Sequence, residues 1–125
     1  MSAPVQLAAT SWDGVKTFTF ERTEGTGAAA ADVLVGTKSN GELKEWRGNR
    51  ATPTSITSTV LKTTGFSTFG SLSTGYCQNH PTGRPLLGIT PAGAASAYFD
   101  ATATDRSGAD ITGGTLGSLG WTGRA

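Results

Sequence analysis

The sequence has one cysteine, Cys77, and one histidine, His80. A lone thiol closes no intramolecular disulfide, so no oxidised framework braces the chain, which suits a reducing compartment. A Ser-His-Asp hydrolase would have to use His80 as its base, yet His80 sits in a Pro/Gly-rich stretch and no G-x-S-x-G elbow accompanies it. Charge is scarce as well, at 15% of residues with a formal net charge of +1. Such a chain has no long-range field to gather nucleic acid or an anionic membrane. No apolar run approaches the roughly 18 residues of a spanning helix, and MSAPVQLAAT lacks the basic and apolar regions of a secretory signal. These absences predict a protein made in a cytoplasm without a membrane partner.

What is present is small and weakly polar. Gly, Ala, Thr and Ser make up about half of the 125 residues, while apolar residues account for 36%. Threonine suits a half-exposed strand better than a helix, and no long helical period appears. The fold class expected is all-β, a small sandwich or barrel of about five to seven short strands, with extended arms at both ends. The organisation expected is an N-terminal arm over 1–11, a single β-rich domain over 12–104 and a Gly-rich extended tail over 105–125.

Along the chain, VKTFTFE at 15–21 alternates as a strand, with Phe18 and Phe20 expected to face inward. DVLVGT at 32–37 follows as a short strand. Residues 39–49 admit two forms: a hairpin turning at Asn40-Gly41 in type I′ geometry, or a helical turn capped by Ser39 and Glu42. In 51–71, Ile56, Ser58 and Val60 share one face, and Thr57, Thr59 and Leu61 the other. Residues 75–85 read as a long loop. RPLLGIT and SAYFDATAT read as two strands about the turn Pro91-Ala92-Gly93. In GTLGSLGWTGRA the glycines recur every third residue, the period of an extended polyproline II arm.

Chemistry-bearing patterns are each matched by a plainer structural account. Cys77 and His80 form a C-x-x-H pair, half of a zinc site without its other half. GTGAAA at 25–30 fits a dinucleotide fingerprint, but the strand that starts again at Val33 leaves no room for the crossover helix. Asp100, Asp105 and Asp110 recur every five residues, without the one-three-five spacing of a calcium loop, and read as a solvated edge. KEWRGNR at 44–50 interleaves Lys44, Arg47 and Arg50 with Trp46, a local candidate for phosphate contact that Glu42 and Glu45 offset. No cofactor or metal set emerges, nucleic acid is not the expected partner, and no enzymatic activity is expected.

DVLVGTKSNGELKEWRGN, followed later by RPLLGIT, resembles the lambda-type phage head decoration proteins over about a third of the chain. The resemblance implies a structural virion protein: a homotrimeric capsid cement protein on the outer surface of a phage head. There it would pin neighbouring major capsid protein subunits through extended termini, after assembly in the host cytoplasm. The 51–81 segment and the glycine-spaced end depart from that pattern. Two alternatives stand beside it, a self-assembling coat or tail-tube subunit and a carbohydrate-binding β domain that stacks sugars on Trp12, Trp46, Trp121, Tyr76 and Tyr98. The contacts expected are Val5 and Leu7 in the leading arm, Trp46 in the domain, and Leu116, Leu119 and Trp121 in the trailing arm, ordered by a neighbour's surface.

Overall fold

The computed structural model describes residues 12–52, 54–75 and 78–118. These segments form eight strands, more than the five to seven expected. The first four are β1 (Val15–Glu24), β2 (Ala31–Lys38), β3 (Leu43–Asn49) and β4 (Ile56–Lys62); the second four are β5 (Ser71–Thr74), β6 (Arg84–Ile89), β7 (Ala94–Asp100) and β8 (Ile111–Ser118). Each set forms one antiparallel sheet in chain order, β1-β2-β3-β4 and β5-β6-β7-β8. The fold is an all-β sandwich of two consecutive meanders, in which every strand pairs with a sequence neighbour. β1 runs beside β5 and closes the sandwich along that edge.

Between the sheets lies a core of Val35, Leu43, Leu61, Leu72, Leu86 and Ile111, joined by Phe66 and Phe69 from the β4–β5 connection. Phe66 reaches the ring of Tyr98 at 4.9 Å and that of Phe69 at 5.8 Å. Phe69 fits because Gly88 has no side chain: a Cβ there would lie 2.6 Å from the ring. The long loop between β4 and β5 is therefore part of the core.

Residues 39–49 take the hairpin form. Lys38 donates its N–H to the Glu42 carbonyl at 2.9 Å, and Gly41 donates to the Lys38 carbonyl at 3.0 Å. Gly41 alone in this turn has a positive φ, 98°, so the connection is a three-residue loop ending in a left-handed glycine and not the two-residue type I′ turn. GTGAAA contributes only the 3-10 turn Gly27–Ala29 between β1 and β2, and no crossover helix follows it.

β1 alternates as expected, but with its faces reversed. Thr17 is buried, while Phe18 and Phe20 are 61% and 54% exposed. Thr17 lies opposite Thr37, and the two hydroxyls hydrogen-bond at 2.7 Å inside the sandwich. A register shift between Phe20 and Arg22 accompanies the inward turn of Glu21, whose side chain is only 6% exposed. With Thr17 and Glu21 bound inside, the phenylalanines must point out.

The C-terminal segment differs too. The polyproline II arm expected from residue 114 onward is, as far as Ser118, part of strand β8, which pairs with β7 from Asp100↔Ile111 to Ala94↔Ser118. The domain therefore runs past residue 104. The N-terminal arm at 1–11 and the segment 119–125 lie outside the described residues.

Candidate functional site: an aromatic outer face and a charged end

Strand register decides which side chains share a face. On the outer side of the first sheet, Phe18 pairs with Gly36 and Phe20 with Leu34; Leu34 pairs with Trp46, and Lys44 with Val60. Phe18, Phe20 and Val60 thus share one face, and they are three of the four large apolar side chains exposed among the described residues, the other being Leu116. Trp12 crosses this face and stacks on Trp46 with ring centroids 5.0 Å apart, while Phe18 lies 6.2 Å from Trp12. Trp12, Val15, Lys16, Phe18 and Leu34 line a shallow cavity of about 610 Å³. Lys44 Nζ stands 5.8 Å above the Trp46 ring.

The contact residues expected from sequence separate on this structure. Trp46 is fully buried; Trp12 covers it, so its ring serves the fold and is not a surface for a partner. Leu116 is 56% exposed on edge strand β8. Val5, Leu7, Leu119 and Trp121 lie outside the described residues. Of the rings weighed for sugar stacking, Trp46 is buried and Tyr98 packs against the core, while Tyr76 and Trp121 lie outside the described residues. The basic stretch divides between two faces: Arg47 turns inward to Glu24, and Arg50 pairs with Asp32 at 2.9 Å. His80 is exposed, 5.6 Å from the Phe99 ring, and Cys77 lies outside the described residues.

At one end of the sandwich the interior is ionic. Arg84 on β6 is fully buried and reaches Glu45 Oε2 on β3 at 2.9 Å, Asp100 Oδ2 on β7 at 2.7 Å and Glu21 Oε2 on β1 at 3.4 Å. Arg22 bonds Glu21 and Glu24, and Arg47 bonds Glu24. Arg84 thereby ties the two sheets together, while Arg22 and Arg47 pair with carboxylates of the first sheet. Burial pushes the Glu21 carboxyl above its ordinary range, partly offset by Arg84 and Arg22. Burial likewise raises Asp100 against the pull of Arg84, and neighbouring Asp110 adds to the rise. Glu24 moves the other way, to about 2, because Arg47 and Arg22 hydrogen-bond its charged form. A cavity of about 600 Å³ opens beside this network, lined by Phe20, Glu21, Arg22 and Glu24 with the loop at Pro81–Gly83.

The network was not legible in the sequence, because its members lie on four strands and no local motif links Arg84 to Glu45. The acidic trio was visible by spacing, but the solvated-edge expectation fails for Asp100, which is fully buried. The loop after β7 brings Asp100, Asp105 and Asp110 together, with one carboxylate oxygen from each within 4.8 Å of the others. No protein-family model matches this sequence, and no curated protein or solved structure resembles it significantly.

Proposed function

We propose that this protein is a structural assembly subunit of the capsid-decoration kind, a cement protein that works as an oligomer on a phage head and performs no catalysis. The observation that carries the reading is the outward placement of Phe18 and Phe20 beside Trp12, Leu34 and Val60 on one sheet face. A contiguous apolar face of this kind is uncommon on a monomer that works alone. Burying one phenylalanine against a neighbour contributes roughly 1.5–3 kcal/mol, and a ring of three copies repeats that contribution at each interface. The occupant of the face is a second copy of this chain within a trimer. The chain ends, with Leu116 leading towards one of them, are then left to reach major capsid protein subunits.

Sedimentation velocity on the full chain and on Phe18→Ser/Phe20→Ser tests this. A compact trimer that becomes a folded monomer in the double variant supports the reading. Megadalton particles formed by the protein alone would make it a coat or tube subunit. A monomer in both cases that is retained on immobilised polysaccharide would make it a sugar-binding domain.

A further inference from the structure

We propose that Asp100, Asp105 and Asp110 form a binding site for a divalent cation of the Ca²⁺ class at the charged end of the sandwich. Each of the three carboxylates has one oxygen held by a protein donor. Arg84 holds Asp100 Oδ2 at 2.7 Å, the Thr102 N–H holds Asp110 Oδ2 at 2.8 Å, and the Ser107 N–H holds Asp105 Oδ1 at 2.8 Å. These bonds orient the groups and leave the second oxygen of each for a ligand.

Beyond the clustering itself, a separate feature points to a cation. Asp100 Oδ1 and Asp110 Oδ1 are both buried, and neither has a hydrogen-bond donor among the described residues. The Asp100 side chain is fully enclosed. A buried carboxylate oxygen without a partner is costly, and carboxylates gathered this closely repel each other when ionised. The surrounding network deepens the deficit. Glu21, Glu24, Glu45, Asp100 and Asp110 outnumber Arg22, Arg47 and Arg84 even before exposed Asp105 is counted. Arg106, beside Asp105, makes no ion pair among the described residues. A cation supplies the missing positive charge.

The chemistry selects the type of ion. All three donors are hard carboxylate oxygens, which excludes a preference for soft, thiolate-seeking metals. Ligand oxygens at the roughly 2.3–2.6 Å typical of Ca²⁺ lie no more than about 5 Å apart, which the observed 4.8 Å limit satisfies. The loop contains a 3-10 turn at Ala103–Asp105 and a left-handed Arg106 with φ 56°. Such an irregular frame suits the flexible coordination of Ca²⁺ better than the strict octahedron of Mg²⁺. This inference does not rest on the oligomeric reading, since all three ligands belong to one chain.

The test is calorimetric titration of CaCl₂ into the full chain, stripped with chelator and desalted into buffered saline, with thermal melts alongside. Saturable one-to-one binding with a dissociation constant of about 10⁻⁶–10⁻³ M and a raised melting midpoint are expected, with a smaller response to MgCl₂. Asp105→Asn changes an exposed side chain, so it should leave the metal-free protein folded and weaken Ca²⁺ binding at least about tenfold. Asp110→Asn should do the same. No saturable heat would overturn the proposal, because two carboxylates sharing a proton give none. So would a midpoint shift that NaCl of equal ionic strength reproduces, or binding by both variants at the wild-type level.

Discussion

The two halves of the space between the sheets are built on opposite principles. One is filled by Val35, Leu43, Leu61, Leu72, Leu86, Ile111 and the two phenylalanines of the β4–β5 loop. The other is filled by Arg84 and the carboxylates around it. The apolar half is stable because its contacts are non-directional and sum over area. The ionic half has a large desolvation cost that only complete pairing offsets, so it contributes less to net stability than to fixing which residues must meet. Arg84 has one partner on each of β1, β3 and β7, a constraint that no apolar residue could impose on the register of two sheets.

Arg84→Met should break this contrast most severely. It leaves Glu45 and Asp100 buried without their cation, and a loss of about 3–5 kcal/mol in urea unfolding is expected. Adding Glu45→Leu and Asp100→Leu, measured with chelator present, should recover most of that loss, because the penalty comes from uncompensated charge and not from missing volume. If the triple variant remained as unstable as the single one, the ionic half would be contributing net stability of its own.

The apolar half should respond in proportion to volume. Leu43, fully buried in that cluster, should lose about 3 kcal/mol on replacement by alanine. Gly88→Ala tests the opposite error. Its new methyl would press on Phe69, and about 1–3 kcal/mol of overpacking is expected. Near-UV circular dichroism should report the displaced aromatic cluster.

A smaller effect separates the halves by pH. The folded-state carboxyl of Glu24 lies at about 2 against an ordinary value of 4.5. A lowered carboxyl value adds stability that is complete above 4.5 and lost as pH falls through about 2. Glu24→Gln should therefore be less stable than wild type at neutral pH, by about 1 kcal/mol, and the two should converge near pH 2. Glu21 has the opposite sign: its raised value means that its ionisation on raising the pH costs stability, so Glu21→Gln should compare best with wild type at neutral pH and worst in acid. Thermal midpoints across the acid range measure both.

Much of the sandwich was legible because two-residue periodicity is a local property. VKTFTFE alternates in the sequence, DVLVGT and RPLLGIT are short apolar runs, and all three lie in strands of the structure. What periodicity does not encode is the choice of face. Apolar-inside patterning turns Phe18 and Phe20 inward, whereas the Thr17–Thr37 hydroxyl pair and buried Glu21 hold the opposite face inside. Both depend on partners from other strands. The glycines of 113–117 likewise read as a free arm, because a glycine-rich strand has few side chains to announce its pairing, and only β7 alongside makes it β8. Asp100, Asp105 and Asp110 were visible by spacing, yet the burial of Asp100 arises from Arg84 on the adjacent strand.

The smallest change in stability should come from the aromatic outer face, and there the comparison reverses. Phe18 and Phe20 are mostly exposed in the single chain, so serine at either position removes little buried area, and a change within about 0.5 kcal/mol is expected in urea. The same substitutions should have the largest effect on association, because the rings would be buried only against a neighbour. Leu43→Ala should show the converse, with lower stability and an unchanged sedimentation coefficient for whatever fraction stays folded. A core residue and a surface residue of similar hydrophobicity would then be told apart by which equilibrium each one shifts. Serine variants that unfolded as readily as Leu43→Ala would instead place these two rings in the fold's own packing, beneath a covering supplied by the same chain.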